Sequence, residues 1–559
     1  MPTMIDQGSV EYYDVIIVGG GVAGCSTALS LVRRNPDASV LVLDNADTSL
    51  FKIGTALPED ANQVLSYLAP QLPMELLQDM SETDPILTRS TANACSWSGP
   101  DLLENRALND GSGIGWHLNR SHFDEILRDL VVGLSEKNTR VSLCRGTFLG
   151  IERIDEGQRW AVLTRGMRSR QEKVYSSKWV VDATGRDATV AHKLGARTVK
   201  FDNLTAYYGL FIQIPKALRA DPDHRSIIEA SDNGWWYTAQ TPNRPNNIRI
   251  VIYYTDESDP SARYAKTQNG FLKLLFRGTF HIARLLTKFQ YTLAPGIGGG
   301  GEPPSSSSSS TTSSSSSAHS KSSLIKHSKS RPNSTPNPIY QTPAGSSHLT
   351  SCCNSRNGPQ GDGARWCAVG DAAAAVDPLA SQGMVTSMKM GSFVGDVLGK
   401  ELGIQVEMME MRMQRMREQE QMMMEMRMRQ EQEQQEKEQQ EKEQEQVDDV
   451  DASADTGANT DAEANTNTEA DADAEAEAEA EAEAEVEEGD KDMDKDTDKD
   501  LQLELEEEER LYMSAAPLDP TDKIPVVTAQ MRYKNEKEKV ECYRQVGRRF
   551  QGEFWGKRR

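Results

Sequence analysis

The chain has 559 residues and a formal net charge of −23, but residues 447–510 hold 28 Asp or Glu against 4 Lys or Arg, so the remainder is close to neutral. That balance leaves no electrostatic reason to expect a nucleic-acid or membrane-surface partner. Seven cysteines, odd in number and without a CxxC pair, point to reduced thiols in the cytoplasm and against a disulfide framework or a zinc site.

The opening "MPTMIDQGSVEYYD" carries acidic residues and no apolar core, so a signal peptide is not expected. No stretch reaches the roughly 20 apolar residues needed to span a bilayer. "YYDVIIVGGGVAGCSTALSLVRR" then reads as a buried parallel strand, a glycine turn and a helix. In the Gly19-x-Gly21-x-x-Gly24 turn the first glycine allows the tight bend. The second lets a pyrophosphate approach the backbone, and the third lets helix and strand pack closely. The anion rests on free N–H groups at the helix N-terminus. "SVLVLD" is a second strand ending at Asp44, whose carboxylate suits unphosphorylated adenosine ribose, hence FAD or NAD rather than NADP.

Further along, "GIGWHLNRSHFDEILRDLV" leads through His117 and Arg120 into a helix with Phe123, Ile126 and Leu127 as its buried face. His117 reads as a core or surface histidine, and no residue stands out as a catalytic acid or base. "KWVVDATGRDATVAHKLG" is a strand entering Asp182 and Gly185. "NGWWYTAQTP" is a strand on which Trp235, Trp236 and Tyr237 alternate in direction; they are either the wall of an aromatic pocket or core of a sheet. Residues 295–363 are dominated by Ser, Pro and Asn and are expected to be disordered, so that excising 296–361 would spare cofactor binding. Order returns with "RWCAVGDAAAAVDPLASQGM": a strand ending at Gly370-Asp371, then Pro378 and the Gly383-Met384 start of another helix. A Met/Gln/Glu-rich helix (405–446), an acidic disordered segment (447–510) and a C-terminal helical segment (511–559) that docks back on the body complete the reading.

Taken together, these segments resemble the flavin-dependent tryptophan-halogenase and aromatic monooxygenase superfamily. Within it they are nearest the branch that hydroxylates a peptidyl tryptophan in quinone-cofactor maturation. The carrying stretches are "FKIGTALPEDANQVLSYL", "SWSGPDLLENRALNDGSGIGWHLNRSHFDEIL", "VVDATGR", "NGWWYTAQTP", "IVIYYTD", "VGDAAAAVDPLASQGM" and "RRFQGEFWGKRR". The resemblance implies an α/β fold, a Rossmann-like FAD-binding domain (12–56, 116–200 and 364–404) interleaved with a β-sheet substrate domain (57–115 and 201–294). It implies that Asp371 contacts the flavin ribityl chain and that Arg120 and Asp182 lie beside the cofactor. The helix opening at Gly383-Met384 would face the flavin pyrimidine edge, where its positive end suits the reduced ring. Singly, either aspartate could equally be a helix cap, and Arg120 could be structural.

The activity so implied is a monooxygenase that hydroxylates an aromatic ring, free or peptide-borne, through a flavin C4a-hydroperoxide. Electrons would come from NADH or NADPH, or from a separate flavin reductase as partner. Two departures from the family pattern count. The lysine that halogenases use has no counterpart, since no lysine occurs between Lys52 and Lys137, and Thr55 stands where an acid is common. Halogenation is therefore the alternative, alongside a reductase or dehydrogenase on the same fold; a scaffold without catalysis fits the intact glycines and aspartates poorly.

Overall fold

The computed structural model describes residues 10–46, 51–58, 60–70, 87–105, 115–137, 140–215, 217–242, 247–295, 337–354, 363–403, 523–547, 549–550 and 553–558, with positions 414, 417, 421 and 424. The chain divides into two compact units, Met1–Gly403 with Glu508–Arg559, and Ile404–Glu507. In the second unit the four described positions are helical. The acidic segment, most of the Met-rich stretch and residues 296–336 lie outside the described residues.

In chain order the main elements are β1 (Glu11–Val18), α1 (Val22–Arg34), β2 (Val40–Asp44), α2 (Arg120–Lys137), β3 (Val141–Ile154), β4 (Arg159–Gly166) and β5 (Glu172–Asp182). Then come β6 (Leu204–Gln213), β7 (Ser226–Ser231), β8 (Gly234–Thr241), β9 (Ile248–Asp256), β10 (Arg365–Ala368), α3 over 383–403, and α4 (Lys523–Gly547).

The first sheet has the parallel order β3-β2-β1-β5-β10, with β4 closing an antiparallel meander between β3 and β5. β1 from Val15 to Val18 and β2 from Val40 to Leu43 are continuous apolar, largely β-branched runs because both faces are covered there. α1 is buried from Val22 to Val32, for it lies between the sheet and α3. The approach of α3 is allowed by Gly391, Gly395 and Gly399, one turn apart. A Cβ on Gly391 or Gly395 would fall 2.5 Å from the carbonyl oxygen of Ala23 or Thr27. Ser30 Oγ donates across the same seam to the Ser392 carbonyl at 2.7 Å.

The second sheet runs Tyr291–Leu293, β6, β9, β8, β7, Asn93–Ser96, Leu103–Asn105. One face carries Tyr207, Trp236 and Tyr253 beneath the helices of residues 260–288, which contribute Phe271 to the cluster. The other carries Trp235, Tyr237 and Tyr254 and receives Tyr543 and Trp555 of the C-terminal segment.

Two boundaries differ from the sequence reading. The segment from Leu57 to Leu68 packs in the nucleotide-binding core, with Leu57, Ala61, Leu65 and Leu68 against the α1 cluster, so it does not belong to the substrate half. Residues 337–354 are ordered although their texture is that of the preceding Ser/Pro-rich stretch. Tyr340–Pro343 pairs with β6, and Ser347–Leu349 pairs with Thr198–Lys200 and Ala374–Ala375. Edge pairing satisfies their backbone groups, which composition alone does not reveal.

Candidate active site

Parallel register aligns the carboxyl ends of four strands. Val18 pairs with Asp182 and is level with Leu43, and Asp182 pairs with Ala368. The Gly19, Asp44, Asp182 and Gly370-Asp371 turns therefore leave the sheet side by side at one edge, where open α/β sheets bind ligands.

The glycine turn has the space relations a dinucleotide needs. Gly19 has φ +116°, and a Cβ there would lie 2.2 Å from the Ala183 carbonyl oxygen. A Cβ on Gly24 would lie 1.9 Å from the Gly19 carbonyl oxygen, whereas one on Gly21 would meet nothing within 4 Å. Gly24 is thus demanded by packing. Gly21 is not, and the room above it, at the first turn of α1, is where phosphate oxygens can reach backbone N–H groups.

Asp44 is buried, and its Oδ1 accepts the Gly20 and Ala46 N–H groups at 3.3 and 3.2 Å. Its Oδ2 pairs with Arg145 Nη1 at 2.5 Å, and Arg128 Nη1 stands 3.8 Å off. Arg128, fully buried on α2, also donates to the Gly20 carbonyl at 3.1 Å. This arginine braces the glycine turn and went unremarked in the sequence. The signal available was its place one turn beyond Asp124 on the helix that starts at Arg120.

Arg120 lies under the 51–57 loop. Its Nε pairs with Asp124 Oδ1 at 2.6 Å, Lys52 Nζ pairs with Asp124 Oδ2 at 2.9 Å, and a Cβ on Gly54 would come 2.8 Å from Arg120 Nη1. Burial alone would push the Asp124 carboxyl up, but the Arg120 and Lys52 charges outweigh it and hold it below the usual range. Phe123 and Leu127 are fully buried and Ile126 packs against them.

Asp182 does not face the ligand edge with a free carboxylate. It is fully buried; Oδ1 accepts from Thr184 N–H at 3.0 Å and Thr184 Oγ1 at 2.6 Å, and Oδ2 from Ala191 N–H at 2.8 Å. Burial pushes this carboxyl up against those bonds. Its work is to shape the turn at Gly185 (φ +70°) and the short helix behind it. Arg186, next in the chain, reaches out instead. Its Nε lies 3.5 Å from Asp371 Oδ2 and its Nη2 donates to the Val376 carbonyl at 3.1 Å.

Asp371 is the carboxylate left at the edge, its side chain 36% exposed beside Arg186. Its oxygens retain capacity for hydroxyl donors such as those of a ribityl chain. Pro378 opens a turn capped by Asp377, and Ser381 (φ +55°) redirects the chain into α3, which begins at Gly383-Met384. These residues fit a flavin dinucleotide: open space at Gly21 and an acidic side chain, Asp44 and Asp371, in two of the aligned turns.

The matches to known proteins agree. Residues 14–50 match the family model described as FAD dependent oxidoreductase. The matched residues hold the glycine turn and Asp44 of the cradle. LodB of Marinomonas mediterranea, named as an FAD-dependent oxidoreductase, is 28% identical over 248 residues, 44% of this chain and 61% of that protein. The match thus spans less than two thirds of that relative. The myxobacterial chondrochloren halogenase CndH shares the fold with a TM-score of 0.50 and 18% identity, over 70% of this chain and 76% of its own. A flavoprotein/dehydrogenase of Cytophaga hutchinsonii does so with a TM-score of 0.50 and 14% identity, over 70% and 79%. At these identities the two structures speak for the fold alone.

On the substrate side the three aromatics of β8 separate. Trp236 stacks on Tyr253 with centroids 4.4 Å apart and meets Phe271, so it is core on the face away from the FAD half. Trp235 and Tyr237 take the other face. Trp235 is 1% exposed, stacked on Tyr254 at 3.9 Å and covered by Tyr543 and Trp97. Tyr237 Oη is 3.3 Å from Ser226 Oγ, which lies 3.0 Å from His117 Nε2. His117 is fully buried; burial, then the Arg249 and His224 charges, push it down to about 3, so it is neutral at ordinary pH and no general acid. Among the described residues no cluster of His, Cys, Asp or Glu could hold a metal ion, and no helix is long and apolar enough to cross a membrane.

Proposed function

We propose that the chain is an FAD-dependent monooxygenase that hydroxylates an electron-rich aromatic ring, indole- or phenol-like, free or carried on a peptide. Bound and reduced, FAD supplies the activation of dioxygen. Gly21 and the start of α1 hold the pyrophosphate, Asp44 the adenosine ribose and Asp371 the ribityl chain. The α3 N-terminus favours negative charge on the reduced ring. The β8–β9 face, with Tyr237 and Tyr254, excludes water and orients the ring of the substrate.

The observation that carries the reading is the row of glycine and aspartate turns at one sheet edge, set in the same compact unit as an aromatic sheet face. The choice of hydroxylation over halogenation rests on the cations. No lysine occurs between Lys52 and Lys137, and Lys52 is engaged by Asp124. In that stretch a hypohalous acid would find no free ammonium to carry it. Electrons come from NADH or NADPH, or from a separate flavin reductase. The peptide-borne indole is the finer version of this proposal, supported by the resemblance of the quoted segments to that branch.

The test is a visible spectrum and native mass of the purified protein, then oxygen consumption with reduced FAD and aromatic acceptors, with and without bromide. A product heavier by one oxygen atom and indifferent to bromide is expected; a brominated product refutes the choice.

A further inference from the structure

Beyond the cradle, one buried hydrogen-bonded line joins three segments that lie far apart in the chain. Tyr543 on α4 is 1% exposed. Its hydroxyl stands 3.0 Å from Asp377 Oδ2 and 3.2 Å from Trp235 Nε1. An indole N–H can only donate, so the phenol oxygen accepts from Trp235 and its one proton is committed to Asp377. Asp377 Oδ1 takes the Leu379 N–H at 2.9 Å, so both carboxyl oxygens are fixed. Asp377 belongs to the loop between Asp371 and Gly383, which the FAD reading sets at the ring end of the cradle. Trp235 belongs to the substrate sheet.

The C-terminal segment has other anchors for simple adhesion. Arg558 forms a buried pair with Asp256 at 2.5 Å, Trp555 Nε1 donates to the Ser231 carbonyl at 3.0 Å, and Lys539 Nζ reaches Asp202 Oδ2 at 3.2 Å and Ser346 Oγ at 3.1 Å. A phenylalanine would fill the place of Tyr543 without burying a phenol on a carboxyl, an arrangement that costs desolvation on both sides. The hydroxyl serves two buried groups, Trp235 Nε1 and Asp377 Oδ2, and the second lies in the loop that leads into α3.

We propose that Tyr543 is a positioning residue of the FAD site: it fixes the orientation and charge of Asp377 at the ring end of the cradle, so that the C-terminal segment completes a site which the nucleotide and substrate halves build in part. This rests on the FAD reading above. The charged and titratable groups facing Asp377 are Lys539 and Tyr543 on α4, Asp202 ahead of β6 and Tyr254 on β9. Arg186 approaches through the Val376 carbonyl. Burial pushes the Asp377 carboxyl up to about 6, against the Lys539 charge and the Leu379 N–H bond. That places Asp377 to change charge within the working range of pH, and a flavin held as proposed would report the change.

The experiment follows the visible spectrum of bound oxidised FAD in the full-length holoprotein from about pH 5 to about pH 8. The wild type should show one transition near the Asp377 value. In Tyr543→Phe the transition should move up by about one pH unit, because a hydrogen bond favouring the carboxylate is gone. In Asp377→Asn, with FAD still bound, it should vanish. A merely structural Tyr543 would lower the melting temperature of Tyr543→Phe and leave the titration where it was, which overturns the inference. So does a wild-type holoprotein whose spectrum ignores pH, a result that needs no variant to fold. A preparation that takes up no FAD overturns the cofactor reading itself, and the inference falls with it.

Discussion

Replacing Gly21 and Gly24 separately by alanine divides what the glycine turn does for the fold from what it does for the cofactor. Gly21 caps α1 at φ −84° and ψ −170°, a conformation alanine adopts freely, and its Cβ would meet nothing within 4 Å. Gly21→Ala should therefore cost the apoprotein less than about 1 kcal/mol, the order of losing a favourable N-cap. The new methyl would occupy the room reserved for phosphate oxygens and displace one or two charge-assisted bonds to backbone N–H groups. At about 1.5–3 kcal/mol each, and with tenfold in affinity for every ~1.4 kcal/mol, the loss of even one should weaken FAD binding by roughly 10- to 100-fold.

Gly24→Ala is the reverse case. A Cβ 1.9 Å from the Gly19 carbonyl oxygen and 3.1 Å from Ala183 Cβ has nowhere to go, so backbone must shift. Overpacking of this kind costs about 1–3 kcal/mol or more, and the apoprotein itself should melt early. The assay pairs FAD titration by fluorescence quenching with the urea midpoint of the apoprotein. A Gly21→Ala protein that binds FAD as tightly as the wild type would show that phosphate does not sit above Gly21, and the cradle would have to be read afresh.

Asp221→Asn should lower stability by about 3–5 kcal/mol, since it breaks a pair with Arg249 in which both side chains are 0% exposed and strands a buried guanidinium; the denaturant midpoint decides. Trp236→Ala should cost about 3–5 kcal/mol yet leave product identity unchanged, because Trp236 faces the helices behind the sheet; altered regiochemistry in the product would contradict that placement. Removing residues 340–349 should abolish FAD content by stripping the edge of β6, whereas a chain shortened within 297–335 should keep it, as absorbance per protein will tell. His117 has a folded-state value of about 3 against 6.5 unfolded, so the unfolded chain takes up its proton first as the pH falls. The stability His117 contributes is whole above about 6.5 and drains away toward 3. Replacing it with glutamine should flatten the pH dependence of the urea midpoint across that window. An equal slope in both proteins would mean the ring protonates in place.

The cradle was legible because its parts are local. A β-branched run, a glycine turn and a helix lie within residues 12–34, and the later strands end in Asp44, Asp182 and Asp371 by the same grammar. What each aspartate does was not local. Asp182 and Asp371 follow similar strands into similar turns, yet the first spends its oxygens on Thr184 and Ala191 while the second stays at the edge. The difference lies in how each turn folds back over the carboxylate. Alternation likewise told that Trp235 and Trp236 part company, and could not tell which face the C-terminal segment would cover. Residues 340–349 were misread for a related reason: a short edge strand needs a neighbour's unpaired backbone more than it needs apolar side chains.

The C-terminal segment shows how far such non-local closure goes. Its last seventeen residues read as cations with four aromatics, and docking was expected, but not the destination. Tyr543 and Trp555 enter the face of β8 that carries Trp235 and Tyr237, and Arg558 finds Asp256 across 302 residues. Trp235 is consequently no free wall of an aromatic pocket but a buried donor to Tyr543. A site divided among a nucleotide half, a sheet and a terminal strap should lose activity when the strap is loosened even though FAD remains. Arg558→Gln, which keeps the bulk and drops the charge facing Asp256, ought therefore to retain flavin and turn over more slowly. Full activity in that protein would mean that the strap is adhesive and nothing more.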